Sequence, residues 1–263
     1  MSTTTKIAPS EIRLIGLPGI QEITPGVDLV DEIGNALERA ELKLERGDVL
    51  VVTQKVVSKA EGRLVALADV EPSPFAEQIA GRYDKDARHV EIVLREAARI
   101  VRMDRGVIIA ETKHGFVCAN AGVDASNVAQ GVLCLLPVDP DASAARIRSG
   151  LGTRFGLAED DLPGVIISDS FGRPWRRGII NVAIGVAGLA PLADYRGHHD
   201  PAGYELSVTV LAVADELASA AELTMHKLDA RPVVLIRGYR PAVATQPGTA
   251  RDLVMDPERD LFR

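Results

Sequence analysis

Aromatic residues are scarce in this 263-residue chain, making up 4% of it with a single Trp. That leaves too few stacking surfaces for a platform that holds single-stranded nucleic acid. The formal net charge of −7 argues against non-specific binding to any polyanion. Cysteine is scarcer still: Cys118 and Cys134, each inside an apolar run. Two thiols make no disulfide framework, and the pattern fits buried structural thiols in a reducing cytoplasm. Long hydrophobic runs are missing. The most apolar region, residues 179–192, is interrupted by Asn181, Gly185, Gly188 and Pro191. It falls short of the roughly 18–20 apolar residues that span a bilayer. Residues 1–10 are polar, without an apolar segment of signal-peptide type. Also missing are a Gly-x-x-x-x-Gly-Lys-Ser/Thr phosphate loop, a complete GxGxxG, a Gly-x-Ser-x-Gly elbow and His-Glu-x-x-His. The five histidines have no zinc spacing.

What is present is an ordinary globular composition, 46% hydrophobic and 25% charged. The length allows one large domain or two modest ones. Residues 11–17 alternate as a strand, and Asp28 is placed to cap a helix carrying Leu29, Ile33, Leu37 and Ala40 on one face. Val49-Leu50-Val51-Val52 reads as a strand that Val56-Val57 can prolong. Pro72 and Pro74 open a helical region, and residues 90–101 give another helical face. Residues 106–110 and 115–119 read as a strand pair, 132–136 as a strand and 139–155 as a helix. Residues 204–223 predict a long helix, and 233–237 a last strand. Beyond Tyr239 the pattern decays into a loose tail. There is no repeat. Strands and helices do not alternate cleanly enough for a doubly wound sheet, so the fold class is α+β with mixed sheets.

The chemistry concentrates in two stretches. In Ser168-Asp169-Ser170-Phe171-Gly172-Arg173-Pro174-Trp175-Arg176-Arg177-Gly178 a carboxylate and two hydroxyls follow the apolar strand 164–167. Three arginines come within five residues. Hard oxygens beside guanidinium groups suit a metal-bound phosphate. Asn120-Ala121-Gly122-Val123-Asp124-Ala125-Ser126-Asn127 offers a second carboxylate. Together they point to a nucleotide handled through a divalent metal. The plainer alternatives are turn-forming aspartates, solvated arginines, an exposed Lys59 and an ordinary turn at residues 16–20. Asp215-Glu216 reads as a solvated pair on a helix.

With Leu17-Pro18-Gly19-Ile20, residues 53–63, 120–127 and 168–178, Asp194-Tyr195-Arg196-Gly197 and residues 212–218 in this order, the chain resembles the coenzyme F-420-0:L-glutamate ligases, the F-420 gamma-glutamyl ligase family. The likeness covers the chain to about residue 240, leaving 241–263 as a C-terminal tail. It implies a cytoplasmic homodimer of two-lobed α+β subunits with intertwined lobes. It also implies a GTP-dependent ligase that adds L-glutamate to coenzyme F-420-0, then further γ-linked glutamates. Two divalent ions, Mg²⁺ or Mn²⁺, belong to that chemistry, with K⁺ as an optional monovalent addition. By carry-over Asp124 and Asp169 hold one ion and Ser170 the second. Leu17, Pro18, Gly19, Ile20, Gln54, Lys59 and Asn127 line the GTP site. Arg173 and Arg176 are the candidate catalytic cations.

Two positions depart from the family pattern. Gln54 stands where a small polar residue is expected, and His226 where glycine is expected. Both bear on nucleotide preference. The implied mechanism runs through an acyl phosphate, with His198, His199 and Asp200 as candidate bases for the glutamate amine. Two alternatives stay open: a related amide ligase with a different carboxylate acceptor, and a non-catalytic nucleotide-binding subunit.

Overall fold

The apolar runs and helical stripes assemble around one mixed sheet. A computed structural model describes residues 10–241, 243 and 245–261. β1 (Arg13–Gly16) leads to α1 (Leu29–Arg39), where Asp28 accepts a 2.8 Å hydrogen bond from the Val30 N–H. Leu29, Ile33 and Leu37 are buried, the stripe that helical spacing requires. β2 (Val49–Thr53) then turns directly into α2 (Gln54–Ala60). Val56 and Val57 therefore do not prolong the strand. A helix lets Gln54, Val57 and Ser58 bury one common face.

β3 (Leu64–Ala66) precedes α3 (Pro74–Tyr83) and α4 (Ala87–Glu96). The helical face expected over residues 90–101 stops at Glu96. β4 (Ala97–Asp104) takes over and pairs antiparallel with β5 (Val107–Thr112). The β-branched Ile100-Val101 pair suits a pleated surface better than a helix interior. β5 also pairs with β6 (Val117–Ala119), the expected strand pair, and β7 (Val132–Cys134) pairs with β3. α5 (Pro140–Phe155) starts on a proline capped by Asp139 and ends on left-handed Gly156.

β8 (Gly164–Arg173) and β9 (Arg176–Ala187) form a long hairpin, so Asp169 lies within a strand rather than in a loop. The short pair β10 (Ala193–Asp194) and β11 (Val210–Leu211) precedes α6 (Val213–Met225). The helix expected over residues 204–223 is thus only its second half. Asp200 accepts hydrogen bonds from the Ala202 and Tyr204 N–H groups and ties the first part into a turn. β12 (Val233–Arg237) closes the set.

Among the described residues the main sheet runs β1-β12-β2-β8-β9. Only β2 and β8 are parallel within it. Side chains alternate between its faces. Leu50, Val52, Val165 and Ile167 pack with α1 and α5, while Val49, Val51 and Ile166 pack with α6. Burial on both faces explains why these strands are continuously apolar. The same holds for 179–189, whose glycine-rich apolarity fits a buried or an interfacial place. Asn181 and residues 183–187 are buried within the subunit between α5 and α6, while Ile179 at the outer end and Gly188 are exposed. Glycine is required at Gly185, where a Cβ would lie 2.4 Å from the Pro140 carbonyl oxygen.

A separate hydrophobic cluster joins α3, α4 and β5 with residues 121–135. The architecture is α+β with a mixed sheet. The tail is not loose throughout. Ala250 is 1% exposed, and Thr249 and Asp252 cap each other reciprocally. Asp141 of α5 accepts hydrogen bonds from the Val186 and Ala250 N–H groups at 2.7 and 2.9 Å. No helix among the described residues is long and apolar enough to cross a membrane.

Candidate active site

The parallel register sets Thr53 of β2 opposite Ser168 of β8. Both strands reach the end of their shared course at one level. Lys55 on α2 follows on one side, and Asp169 and Ser170 on the other. The carboxyl ends of parallel strands are where open α/β sheets place their ligands. The third contributor arrives from the smaller cluster. Asn120, Ala121 and Gly122 have φ of 52°, 51° and 73°, a run of left-handed residues. Such a turn is costly for non-glycine residues, roughly 1–2 kcal/mol each. It delivers Asp124 into a bridge with Cys134, with N–H···O distances of 3.0 and 2.8 Å.

Lys55 Nζ lies 2.7 Å from Asp124 Oδ2 and 3.2 Å from the Ser126 carbonyl oxygen. Asp124 also accepts from the Ser126 N–H at 2.6 Å and from its hydroxyl at 3.0 Å. Burial alone raises the Asp124 pKa, but the Lys55 ammonium and Ser126 donors outweigh it and hold the group below the usual carboxylate value. Asp169 behaves oppositely. Its residue keeps some exposure, yet its carboxyl is crowded by protein. Burial first, and then the charge of Asp124, push it up to about 6 against the Ser170 N–H, Lys55 and Lys227. Two carboxylates are thus held near enough to repel, with their pKa values driven apart. Functional sites are where such pairs collect.

This donor set suits a hard divalent ion. It offers carboxylate and hydroxyl oxygens without thiolate or imidazole, the chemistry of Mg²⁺ or Mn²⁺ rather than zinc. A cation between Asp124 and Asp169 would offset both the burial that chiefly raises Asp169 and the smaller push from Asp124. Among the described residues no three His, Cys, Asp or Glu groups cluster as a closed metal cage. Water, hydroxyl or substrate oxygens would have to complete the coordination, as is usual for Mg²⁺.

The other expected site residues distribute around this centre. Lys59 is buried rather than exposed, and its Nζ pairs with Glu22 at 2.5 Å beside the 17–20 segment. Leu17 is fully buried, with its N–H bonded to the Val233 carbonyl. Gly19, at φ 75°, gives its carbonyl to Arg39 at 2.7 Å. Gln54 is 1% exposed; its Oε1 accepts from the Ser58 hydroxyl, and its Nε2 has no partner among the described residues. Asn127 is exposed and left-handed. Arg173, Arg176 and Arg177 sit at the hairpin end, about 13 Å along the strand from Asp169 at ~3.3 Å per residue. Arg173 bonds the Arg177 carbonyl. His198, His199 and Asp200 belong to the exposed 195–206 turn, where Asp200 is occupied by backbone N–H groups.

The sequence misplaced Asp215. It is not a solvated helix charge: it accepts the Ala183 N–H at 2.8 Å beside a bulge in the β8–β9 ladder, and burial raises its pKa. Missed entirely were Lys55, Asn181, Glu222 and Lys227. Lys55 had a signal, since it lies one helical turn from Lys59 in the 53–63 segment.

His226 follows α6 with φ 50° and ψ 156°, a region that essentially only glycine occupies. The departure from an expected glycine therefore carries backbone strain. His226→Gly is expected to stabilise the protein by about 0.5–2 kcal/mol, the relieved strain less the added unfolded-state entropy. Urea denaturation reads this directly, and a lower midpoint would show that the imidazole supplies contacts worth more than the strain.

A family model described as F420-0:Gamma-glutamyl ligase matches residues 19–238. The chain belongs to that family. It is similar to the coenzyme F420:L-glutamate ligase of Methanopyrus kandleri, 46% identical over 255 residues, covering 96% of this chain and 98% of the relative. The same-named protein of Methanothermobacter thermautotrophicus is 44% identical, over 96% and 99% of the two chains. That of Methanocaldococcus jannaschii is 44% identical, over 85% and 88%.

Proposed function

We infer that this family member is a GTP- and divalent-metal-dependent ligase that adds L-glutamate to coenzyme F420-0. One observation carries the reading to this chain. Asp124 and Asp169, from two segments of the family pattern, lie near enough for the charge of Asp124 to act on Asp169, with Lys55 paired to Asp124 and Asp169 just beyond the end of the parallel strand pair.

Joining a carboxylate to an amine in water is uphill, and a carboxylate is a poor electrophile. Activation splits the task into two steps. The acceptor carboxylate oxygen attacks the γ-phosphorus, the bond to the β-phosphate oxygen breaks, and GDP departs. The glutamate amine then attacks the acyl carbon, phosphate leaves, and the amine gives up its proton to solvent or a base. When bound, the divalent ions supply neutralisation of phosphate and carboxylate charge. Asp124 and Asp169 are the groups to hold one of them and Ser170 to share in the second. Residues 17–20, Gln54, Lys59 and Asn127 are the lining for the nucleotide. Lys59, buried and paired with Glu22, is preset to face an anion. Arg173, partly buried, and Arg176, exposed, both on the hairpin arm, are the groups to meet substrate anions from the outer side. The reading includes a cytoplasmic homodimer, optional K⁺ and γ-linked extension of the first glutamate.

Incubation with GTP, Mg²⁺ or Mn²⁺, L-glutamate and coenzyme F420-0 is expected to yield GDP, phosphate and a coenzyme heavier by whole glutamyl residues. Mass spectrometry decides between the readings. Unmodified coenzyme with brisk GTP turnover on another carboxylate would move the assignment to a different acceptor. No turnover with any acceptor, but tight GTP binding, would leave a nucleotide-binding subunit.

A further inference from the structure

A second group of hard oxygens stands beside the carboxylate pair. The β8–β9 register sets Ser170 opposite Asn181, and α6 packs across β9 to bring Glu222 alongside. Asn181 is 3% exposed and fully used. Its Oδ1 accepts from the Ser170 hydroxyl at 2.7 Å, and its Nδ2 donates to Glu222 Oε2 at 2.9 Å. Its backbone carbonyl accepts from the Ser219 hydroxyl at 2.7 Å. This arrangement fixes both neighbours. The remaining lone pair of Ser170 Oγ and the second oxygen of Glu222 face one common point. A cation already stands there. Lys227 Nζ lies 2.9 Å from Ser170 Oγ and 3.2 Å from Glu222 Oε1.

We propose that Ser170 and Glu222, braced by Asn181, form the seat of the second divalent ion, and that the Lys227 ammonium is its built-in competitor. Charge and space make the two occupants exclusive. An ammonium and a divalent cation seek the same hard oxygens and cannot share a position about 3 Å from each of them. Lys227 can leave cheaply. Its side chain is mostly exposed, its pair with Glu222 is a surface pair, and its four-carbon stem swings into water. The seat cannot leave, because Asn181 is buried and bonded on three sides. Lys227 thus keeps the empty seat neutral and makes the second ion weaker than the first. The inference rests on the ligase reading only in taking the second ion to be divalent.

The test is a Mn²⁺ titration of the full chain without nucleotide or acceptor, with free Mn²⁺ read by electron paramagnetic resonance. Wild type is expected to bind one ion more tightly and one more weakly. Lys227→Met should tighten the weaker ion by at least about tenfold, because a unit charge has been removed next to it. Glu222→Gln should remove that ion, alone and in combination with Lys227→Met, while the tighter ion remains. A Lys227→Met isotherm that superimposes on wild type, or is weaker, overturns the proposal. So does a double variant that keeps the tightening. Lys227→Gln serves as the second variant should Lys227→Met fold poorly. Because no GTP or coenzyme is present, a failed product assay with a responsive isotherm would sink the ligase reading and leave the seat standing. The converse result would do the reverse.

Discussion

Asp169→Asn is expected to abolish ligation and, at the same time, to stabilise the metal-free protein. The folded pKa of Asp169, about 6, lies above the ~3.9 of an unfolded aspartate. A group raised on folding contributes its stability in full below the unfolded pKa and loses it as pH rises through the folded one. Above pH 6 wild type must carry a buried charge facing Asp124. Asparagine carries none and keeps the carbonyl oxygen that accepts the Ser170 N–H at 2.8 Å. In a chelator at pH 8 the variant should be more stable by about 1–3 kcal/mol, since each tenfold change in proton affinity on folding is worth about 1.4 kcal/mol. The gap should close as pH falls toward 4. Mn²⁺ should stabilise wild type and do little for the variant, since ligand stabilisation requires binding to the folded state. Turnover should drop at least about 10³-fold, by loss of metal-held phosphate charge. Denaturation curves at pH 5 and 8, with and without Mn²⁺, check the first part, and product formation the second. A variant less stable than wild type at pH 8 in chelator, or within tenfold of its rate, would defeat this account of the site.

The largest loss of stability is expected far from the site, at Asp48. This carboxylate is 1% exposed and accepts from Arg237 Nε at 2.9 Å, Arg237 Nη2 at 2.7 Å and the Glu45 N–H at 2.8 Å. It fastens the start of β2 to the end of β12, and its backbone carbonyl accepts from Gly164 at the start of β8. Asp48→Ala would leave a half-buried guanidinium with Glu45 and the Lys43 carbonyl as its remaining partners. Breaking such a pair costs about 3–5 kcal/mol, and the Glu45 contact places this case near 3. Asp48→Asn should cost about half as much, because one acceptor oxygen survives. Urea midpoints of the two variants give the ordering, and near-wild-type stability for Asp48→Ala would show that Glu45 alone satisfies Arg237.

Neither effect is visible in local sequence. Gly47-Asp48 reads as an ordinary turn, and Arg237 lies 189 positions away. Lys59 reads as exposed because lysines usually are; Glu22 and the walls around α2 overrule that. The helical stripe through residues 204–223 is half real. Leu206 and Val210 share its period, yet Asp200 and the β10–β11 pair claim that segment. The stripe over residues 90–101 fails at Ala97 for a similar reason, since pairing with β5 decides the conformation of β4.

The sequence by itself determined what short-range physics controls. Capped helices at α1 and α5 follow from Asp28, Asp139, Pro140 and Gly156. Continuous apolar runs mark the buried strands β2, β8 and β12. The ordered segments from Leu17 to Ala218 identify the family. Only the tertiary structure decided which charges face one another. Asp124 and Asp169 are 45 positions apart, and Ser170 and Lys227 are 57 apart. Their placement depends on the register of β2 against β8, a left-handed turn at residues 120–122 and the packing of α6 on β9. Those features are fixed by long-range strand pairing and packing, whose energies no local window of residues contains.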